Sequence, residues 1–358
     1  MPSRSLVVTA DPDALDELVR LAATAGTEVE VAADPTAARR SWSSAPLVVL
    51  GADVVDACAR ARLPRRPGVV LLGRDLDDAG VWQQAVAVGA EHVVFLPEAE
   101  DWLAGCFADA AEDGAPDGVV VAVIGGRGGA GATTTAVALA VTAARSGRRA
   151  LLVDGDPLGG GIDLVLGGES DPGLRWPDLV STRGRVPAAA LTGALPQMEG
   201  VSVLSWDRAR ADAVPVEALE TVLAAGRRAC DLVVVDLPRV LDDAARRVLA
   251  VAGATLLVVP TEVRAAAAAS CVAAAVGALC ADLRLVARGP SPSGLSGDQV
   301  ARALGLPLQA ELRAEPGLDL ALERGQAPGS RGKGPLAVAC GRLLDELLAP
   351  TSSLRRAA

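Results

Sequence analysis

Tyrosine is absent from this sequence of 358 residues, in which Phe occurs twice and His once. Lysine is almost absent too, because Lys333 is the single Lys among 34 basic residues. An excess of Ala, Arg and Gly with so little Lys and Tyr indicates a GC-rich genome. Arg in place of Lys is therefore a matter of codon usage, whereas Ala in place of Lys is not explained in that way.

Cysteine pairs are lacking as well, since none of the six cysteines forms a CxxC motif or has neighbours spaced like zinc ligands. We expect buried or idle thiols in a reducing cytoplasm. A surplus of positive charge is also missing. The net charge of −10 disfavours broad DNA binding, which requires a basic face that releases phosphate counterions. No specific nucleic-acid partner is therefore expected.

Strongly apolar runs of membrane-spanning length are missing too. The longest uncharged stretch, AAAAASCVAAAVGALCA at residues 265–281, is rich in Ala, which contributes little to membrane insertion. It follows the strand-like TLLVVP, so we predict a crossover helix. The C-terminal GRLLDELLA carries two acids and precedes a short tail, which predicts packing on a sheet and no stable membrane anchor. The chain opens with the strand-like LVVTA, so no signal peptide is expected.

What the sequence does contain is two series of short apolar runs. In the first, LVVTA, EVEVA, LVVLG, GVVLLG and HVVFL alternate with helical segments, which predicts a parallel sheet covered by helices on both faces. In the second, VVVAVIGG, RALLVDGD, VSVLSWD, DLVVVDLP, TLLVVP and LRLVARG predict a larger doubly wound α/β sheet. We place the first domain at 1–111, a linker at 112–118, the second domain at 119–350 and a tail at 351–358.

The first series resembles the receiver domain of response regulators, a flavodoxin-like fold, in strand order and length. Gly51 stands where that resemblance requires the phosphate-accepting Asp, and Leu96 stands where it requires a Lys. Asp11 and Asp13 remain near the first strand, but acidic residues in a strand-to-helix turn are commonly helix caps. We therefore expect a pseudo-receiver that mediates protein contacts and does not accept phosphate.

The second series contains the loop GGRGGAGATTT at residues 125–135, between a strand and a helix. A phosphate-binding loop reads GxxxxGK[ST], and here the frame runs from Gly126 to Thr133 with Ala132 in place of the Lys. Backbone N–H groups and the helix N-terminus still offer an anion site, and the glycines let the backbone approach a phosphate. Thr133 is placed to reach Mg²⁺ and Thr134 to reach a phosphate.

Two further motifs end strands with carboxylates. LLVDGDPLGGG places Asp154 and Asp156 two residues apart, where they could hold a metal-bound or attacking water, and Asp154 is a further metal-ligand candidate. DLVVVDLP places Asp236 beside the first strand of the series, where it would contact Mg²⁺ through a water ligand. Each motif alone is explained equally well by a turn or a helix cap. The three in this order at strand ends predict a nucleotide site.

GGRGGAGATTT, VDGDPLGGGIDLVLG and VVVDLPR resemble the deviant Walker A motif, switch I and switch II of the MinD/ParA superfamily of P-loop NTPases. The resemblance implies that Thr133 binds Mg²⁺, that Asp236 is the Walker B Asp and that Asp156 orients the attacking water. Arg127 matches the Lys that crosses to the partner's nucleotide in the family's dimer, and Ala132 matches the Walker Lys, whose role is vacant. The implied nucleotide-binding residues are Gly126, Arg127, Gly128, Gly129, Ala130, Gly131, Ala132, Thr133 and Thr134.

The resemblance covers residues 118–349, and a receiver-like half fused to it is the CpaE-like arrangement, with actinobacterial septum site-determining proteins as the nearest branch. It implies a homodimeric cytoplasmic factor, recruited to the pole or septum, that contacts division, pilus or secretion proteins. Without the Walker Lys we expect weak binding of ATP and Mg²⁺ and slow or absent hydrolysis. Two alternatives stay open: an active ATPase switch that drives a localisation cycle, and a scaffold that binds no nucleotide.

Overall fold

The computed structural model describes residues 4–73, 80–112, 117–180, 186, 188–207, 213–290 and 294–349. Most of the predicted linker and the whole predicted tail lie outside these residues. The chain forms two compact units, of which the first comprises Met1–Pro116 and Val186–Ala190 and the second comprises Asp117–Arg185 and Leu191–Ala358.

The first unit contains a five-stranded parallel sheet. Its strands are β1 (Ser5–Val8), β2 (Val29–Ala32), β3 (Val48–Gly51), β4 (Val69–Leu72) and β5 (His92–Val94). Its helices are α1 (Pro12–Thr24), α2 (Pro35–Ala38), α3 (Val55–Arg60), α4 (Gly80–Val88) and α5 (Glu100–Glu112). The strand order β2-β1-β3-β4-β5 and the parallel pairing confirm the α/β class predicted for this half.

Side chains that alternate along these strands divide the core of the first unit between the two faces of its sheet. Val7 lies in one buried cluster with Leu18 of α1 and Phe107 of α5. Its neighbour Leu6 lies in a second cluster with Val81 of α4. Helices therefore cover both faces, as the uninterrupted apolar strands predict.

The second unit contains an eight-stranded sheet. Its strands are β6 (Val119–Gly125), β7 (Ala150–Asp154), β8 (Gln197–Met198), β9 (Val201–Leu204), β10 (Leu232–Leu237), β11 (Ala254–Pro260), β12 (Leu283–Arg288) and β13 (Leu308–Leu312). The order is β13-β12-β11-β6-β10-β7-β9-β8, with all neighbours parallel except β8 and β9. The six apolar runs predicted as strands are confirmed. Strands β8 and β13 are not among these six runs, and β8 has only two residues at a sheet edge, which carry no readable pattern.

Helices surround this second sheet. They are α6 (Ala132–Arg145), α7 (Ile162–Leu166), α8 (Trp176–Leu179), α10 (Val216–Ala229), α11 (Asp243–Val251), α12 (Val263–Gly277), α13 (Gly297–Leu304), α14 (Leu318–Leu322) and α15 (Pro335–Leu347). Helix α9 (Ala188–Ala194) begins among the residues of the first unit and ends among those of the second. Helix α12 connects the parallel strands β11 and β12, which confirms the predicted crossover. Among the described residues, no helix is both long and apolar enough to cross a bilayer.

Helix α6 is buried along most of its length. Its residues from Thr135 to Ala143 are buried, and it lies between the sheet and α15. A helix that is apolar on all sides belongs inside a protein, which the run TAVALAVTA dictates. The C-terminal α15 buries Leu343 and Leu344 in the same core, as predicted. The start of α6, and the loop that leads into it, are therefore held from several sides.

Candidate functional site

The carboxyl ends of five neighbouring parallel strands, β7, β10, β6, β11 and β12, meet at one edge of the second sheet. Ligands of open α/β sheets bind at this edge, in the loops that follow the strands. The three motifs singled out in the sequence all lie here. We call residues 125–131, which join β6 to α6, the glycine loop.

Two glycines give the glycine loop a backbone that other residues would strain. Gly129 has φ +66° and Gly131 has φ +91°, both in the left-handed region. A Cβ on Gly126 would lie 2.7 Å from Cβ of Ala269 and 2.9 Å from Cγ2 of Val259, so the start of the loop packs tightly on β11 and α12. A Cβ on Gly129 would meet nothing within 4 Å. The loop is thus closed on its sheet side and open outward, which fits a phosphate cradle.

Ala132 opens α6 at the position where a phosphate-binding loop carries its Lys. Its methyl group is partly buried and packs on the apolar core of the unit, so it brings no charge to the loop. Lys333, the one Lys of the chain, lies exposed in the loop before α15 and makes no ion pair with any described residue.

Thr133 and Asp236 form the contact on which a metal site would depend. The Thr133 hydroxyl donates to Oδ2 of Asp236 at 2.6 Å, across the gap between α6 and the end of β10. Asp236 is paired with Val123 of β6 on one side and Asp154 of β7 on the other. This registry places Asp236 beside the first strand of the second series and beside Asp154 of β7.

Asp154 holds the following segment in place. Its Oδ1 accepts from the Asp156 N–H at 3.1 Å, and its Oδ2 accepts from the Ile162 N–H at 3.1 Å and the Ser205 hydroxyl at 3.3 Å. Its carbonyl accepts from Nε1 of the fully buried Trp176 at 2.7 Å. These bonds tie the two ends of residues 156–162 together. The idea that Asp154 also ligates a metal stays a prediction.

Asp156 is more accessible than its neighbour. Its Oδ1 accepts from the Leu158 N–H at 3.0 Å, while Oδ2 has no hydrogen bond to any residue in the described part of the chain. A half-buried carboxylate with one free oxygen can orient a water. That role, which the family resemblance implies, stays a prediction.

Burial controls the charge of the two inner acids. It raises the pKa of Asp236 to about 7, an effect that the Thr133 hydroxyl opposes and the nearby Asp154 and Asp156 reinforce. Burial likewise raises the pKa of Asp154 to about 6, against the hydrogen bonds that its carboxylate accepts. Burial thus disfavours negative charge at this edge of the sheet, and a bound cation would stabilise that charge.

The Arg127 side chain extends from the glycine loop to Glu262. Its Nη2 donates to Oε2 of Glu262, which follows β11, at 2.9 Å, and both side chains are partly exposed. Its Nε is buried without a hydrogen-bond partner among the described residues. An arginine with one satisfied and one unsatisfied end is suited to exchanging partners when a ligand arrives.

A cavity of about 340 Å³ lies beside the start of α6, within the range of ligand pockets. Its lining includes Gly131, Thr134, Glu262, Arg288 and Leu318. The glycine loop and this cavity together offer a phosphate cradle next to a partly apolar recess. A nucleotide has this division between its phosphates and its base.

Few protein side chains are grouped for metal binding at this site. Within the described ranges, no group of three or more His, Cys, Asp and Glu side chains is arranged to hold an ion. Mg²⁺ that accompanies a nucleotide takes several of its ligands from phosphates and water, so one or two protein oxygens suffice to hold it. Thr133 and Asp236 are the residues that would hold it.

Sequence reasoning missed Glu262, Ser205, Arg239 and Arg288, although all four contribute to this edge. Each follows or ends a strand, so the rule that identified Asp236 would have identified them too. They were missed because no motif names them.

The corresponding edge of the first sheet has a different chemistry. Asp53 folds back over Gly51 and accepts from the Thr9 hydroxyl at 2.8 Å and from a backbone N–H at 2.7 Å. A Cβ on Gly51 would lie 2.2 Å from Oδ1 of Asp53, so a side chain there would require the Asp53 carboxylate to move. Asp11 accepts from the Asp13 N–H at 3.1 Å and caps α1, which confirms the cap reading.

Comparisons with known proteins agree with this architecture. Residues 8–118 match the Rv3660c-like, CheY-like N-terminal domain, and residues 121–160 match the CobQ/CobB/MinD/ParA nucleotide binding domain. The cell division ATPase MinD of Pyrococcus furiosus superimposes with a TM-score of 0.54 at 23% identity, over 64% of this chain and 98% of MinD. The MinD protein of Aquifex aeolicus in its complex with MinC superimposes with a TM-score of 0.54 at 20% identity, over 65% of this chain and 96% of that chain.

The fold and these matches define a protein with a CheY-like N-terminal domain followed by a nucleotide-binding domain of the MinD/ParA type. The Mycobacterium tuberculosis protein Rv3660c (strain H37Rv) is 48% identical over 321 residues, which cover 88% of this chain and 90% of that protein. The chain belongs to the Rv3660c family. Protein MT3760 of M. tuberculosis strain CDC 1551 matches with the same values.

Proposed function

We propose that this protein is a CpaE- or MinD-like positioning factor with a degenerate ATP site, which acts in septum placement or in pilus or secretion assembly through nucleotide-modulated protein contacts. The observation that carries the proposal is the combination of Ala132 with an intact Thr133–Asp236 pair at 2.6 Å. The parts that bind a nucleotide are present, and the charge that accelerates its hydrolysis is missing.

Different parts of the loop serve binding and catalysis. Backbone amides of the glycine loop and the N-terminus of α6 would hold the phosphates, and Thr133 with Asp236 would hold Mg²⁺. When bound, Mg²⁺ neutralises charge on the phosphate oxygens. The Walker Lys acts on the oxygens that carry the charge of the transition state, and losing one such contact typically costs about 3–4 kcal/mol, or 10²–10³ in rate. We therefore propose weak binding with slow or absent hydrolysis.

The partner of this site is a second copy of the chain. Leu158, Val240 and Val263 follow β7, β10 and β11 at the same sheet edge, with 84%, 80% and 65% of their surfaces exposed. Apolar side chains grouped around a polar site are typical of a surface that is covered on association. MinD of A. aeolicus has been solved in complex with MinC, which supports protein contacts as the mode of action for this fold. Recruitment from the cytoplasm to the pole or septum belongs to the same proposal.

Calorimetry and phosphate release, on wild type beside Ala132→Lys, test the biochemical part. We expect wild type to bind Mg-ATP weakly and Ala132→Lys to bind it more tightly and to turn it over at least about tenfold faster. Hydrolysis by wild type at a rate typical of the family, abolished by Asp156→Ala, would favour the active switch instead. If Ala132→Lys gains neither affinity nor turnover, the nucleotide-free scaffold is the better account.

The cellular part is tested by purifying the tagged protein from its native host and identifying what accompanies it. We expect division, pilus or secretion proteins, in amounts that Asp236→Ala reduces because the nucleotide site would no longer bind Mg²⁺. Recovery of none of these classes would overturn the proposed role.

A further inference from the structure

A second arginine, Arg288, contacts the glycine loop although it is distant from the loop in the sequence. It is the last residue of β12, and its Nη2 donates to the carbonyl of Gly129 at 3.3 Å. Its Nη1 lies 3.3 Å and its Cδ 3.5 Å from the place that a Cβ on Gly131 would occupy. The guanidinium therefore rests on the residue directly before Ala132. It fits there because Gly131 has no side chain.

The surroundings of Arg288 leave its charge available. Arg127 is neutralised by Glu262 at 2.9 Å, whereas no carboxylate in the described ranges lies within ion-pair distance of Arg288. A guanidinium has five N–H donors, and one hydrogen bond to a carbonyl leaves four of them. The side chain also lines the cavity of about 340 Å³ beside the loop. It thus stands where the cradle and the cavity meet.

We infer that Arg288 supplies, from β12, the positive charge toward nucleotide phosphates that Ala132 cannot supply from the loop. The inference rests on the proposed nucleotide site. A guanidinium binds phosphate oxygens in pairs through its planar fork, so it contributes to ground-state affinity. It approaches from a strand end and is tethered to the loop carbonyl, so its position differs from that of a Lys at the head of α6. Phosphate binding through Arg288 and slow hydrolysis can therefore coexist.

Arg239 is a weaker candidate for the same role. Its Nη2 is 3.6 Å from the place that a Cβ on Gly128 would occupy, at the outer rim of the loop. No hydrogen bond links it to the loop among the described residues, and it does not line the cavity. Of these two arginines, Arg288 combines contact with the loop backbone and a place in the cavity wall.

The test measures affinity for ligands that differ only in phosphate number: Mg-ATP, Mg-ADP, AMP and adenosine, by calorimetry on the full chain. We expect Arg288→Ala to weaken Mg-ATP and Mg-ADP by about tenfold or more, AMP by less, and adenosine not at all. Arg288→Lys, which keeps the charge and loses the fork, should lie between. Arg342→Ala, an exposed arginine on α15, is the charge-matched control and should bind like wild type. Circular dichroism checks that each variant is folded.

A double-mutant cycle sharpens the result. If both side chains serve the same phosphates, Ala132→Lys should raise Mg-ATP affinity more in the Arg288→Ala background than in wild type. Equal gains in the two backgrounds would overturn the inference. An equal loss for adenosine and ATP would also overturn it, because Arg288 would then contact the base. Wild type that binds none of the four ligands would refute the proposed function and the inference together, whereas binding that Arg288→Ala leaves unchanged would refute the inference alone.

Discussion

Some single residues at the edge of the second sheet carry a charge that lowers the stability of the fold. Asp236 is buried and lies beside Asp154 of the neighbouring strand. Among the described residues, its carboxylate accepts a hydrogen bond only from the Thr133 hydroxyl. Packing alone would favour an apolar residue at the end of so apolar a strand. A buried carboxylate whose charge is disfavoured by its surroundings marks a site built for a ligand.

This cost makes stability depend on pH. Burial raises the pKa of Asp236 to about 7 and that of Asp154 to about 6, whereas both titrate near ~3.9 in an unfolded chain. The folded protein therefore holds more protons than the unfolded chain between about pH 4 and 7. Its free energy of unfolding should fall as the pH rises through this window and then level off.

Asp236→Asn should remove most of this loss. We expect the variant, without Mg²⁺ or nucleotide, to be more stable than wild type at pH 8 by about 1–3 kcal/mol and to show a shallower pH dependence. Denaturant unfolding at pH 5.5 and pH 8 measures both. Asp345→Asn, which removes an exposed carboxylate on α15, is the control and should leave the slope unchanged. A variant that is less stable than wild type at pH 8 would contradict this account.

At the scale of elements, the glycine loop is positioned by what surrounds it. Helix α6 is buried along most of its length, and Gly126 packs against Ala269 and Val259 with no space for a methyl group. The segment after β7 is tied at both ends to Asp154. The phosphate cradle and this segment therefore keep their positions relative to the sheet, and the exposed side chains around them are the parts free to change partners.

Arg127 is the side chain for which we expect such an exchange. It pairs with Glu262 in the single chain, and the family resemblance implies that it crosses to a partner's nucleotide. We predict that Arg127→Ala weakens dimerisation in the presence of Mg-ATP by at least about tenfold, because a charge-assisted contact across the interface is lost.

Light scattering and sedimentation at tens of micromolar protein measure this effect. Glu262→Gln breaks the same ion pair and leaves Arg127 free, so this matched variant should dimerise at least as well as wild type. If both variants lose dimerisation equally, the ion pair serves to shape the loop and Arg127 does not cross. A wild type that is monomeric in every nucleotide state would refute the dimer itself.

The whole molecule contains two sheets of the same α/β type, which differ in the side chains at the ends of their strands. In the second unit, strand ends carry acids, a hydroxyl and arginines around an open loop. In the first unit, Gly51 ends β3 and Asp53 has turned onto the Thr9 hydroxyl, which fills the corresponding place. Leu96 follows β5 without a charge to offer. The first unit has the CheY-like framework, and we predict that it lacks the phosphotransfer reaction of a receiver.

We predict that residues 1–111 fold by themselves and accept no phosphate. After incubation with acetyl phosphate, the intact mass of this fragment and of the full chain should be unchanged. Even Gly51→Asp should remain unmodified, because Leu96 stands where the resemblance to a receiver requires a Lys. A stable gain of one phosphoryl group by wild type, lost in Asp53→Ala or Asp11→Ala, would prove the prediction wrong.

Much of this protein can be read directly from its sequence. Uninterrupted runs such as VVVAVIG and LVVVDL specify buried parallel strands, since both faces of such a strand must be covered. The GxxxxGA[T] frame is one short motif, and each strand-end acid follows an apolar run of the same kind. Ala132, Thr133, Asp154 and Asp236 could therefore be singled out from the sequence alone. Their place at the sheet edge is determined locally, because a side chain at the end of any such strand lies at that edge.

Only the tertiary structure decided which distant residues complete the site. Arg127 and Glu262 are 135 positions apart, and Arg288 and Gly129 are 159 apart. No local pattern links such pairs, because their meeting depends on the strand order β12-β11-β6-β10-β7 and on the glycines that let a guanidinium approach the backbone. The charge state of Asp236 was likewise undetermined by sequence, since it depends on burial by elements drawn from across the second unit.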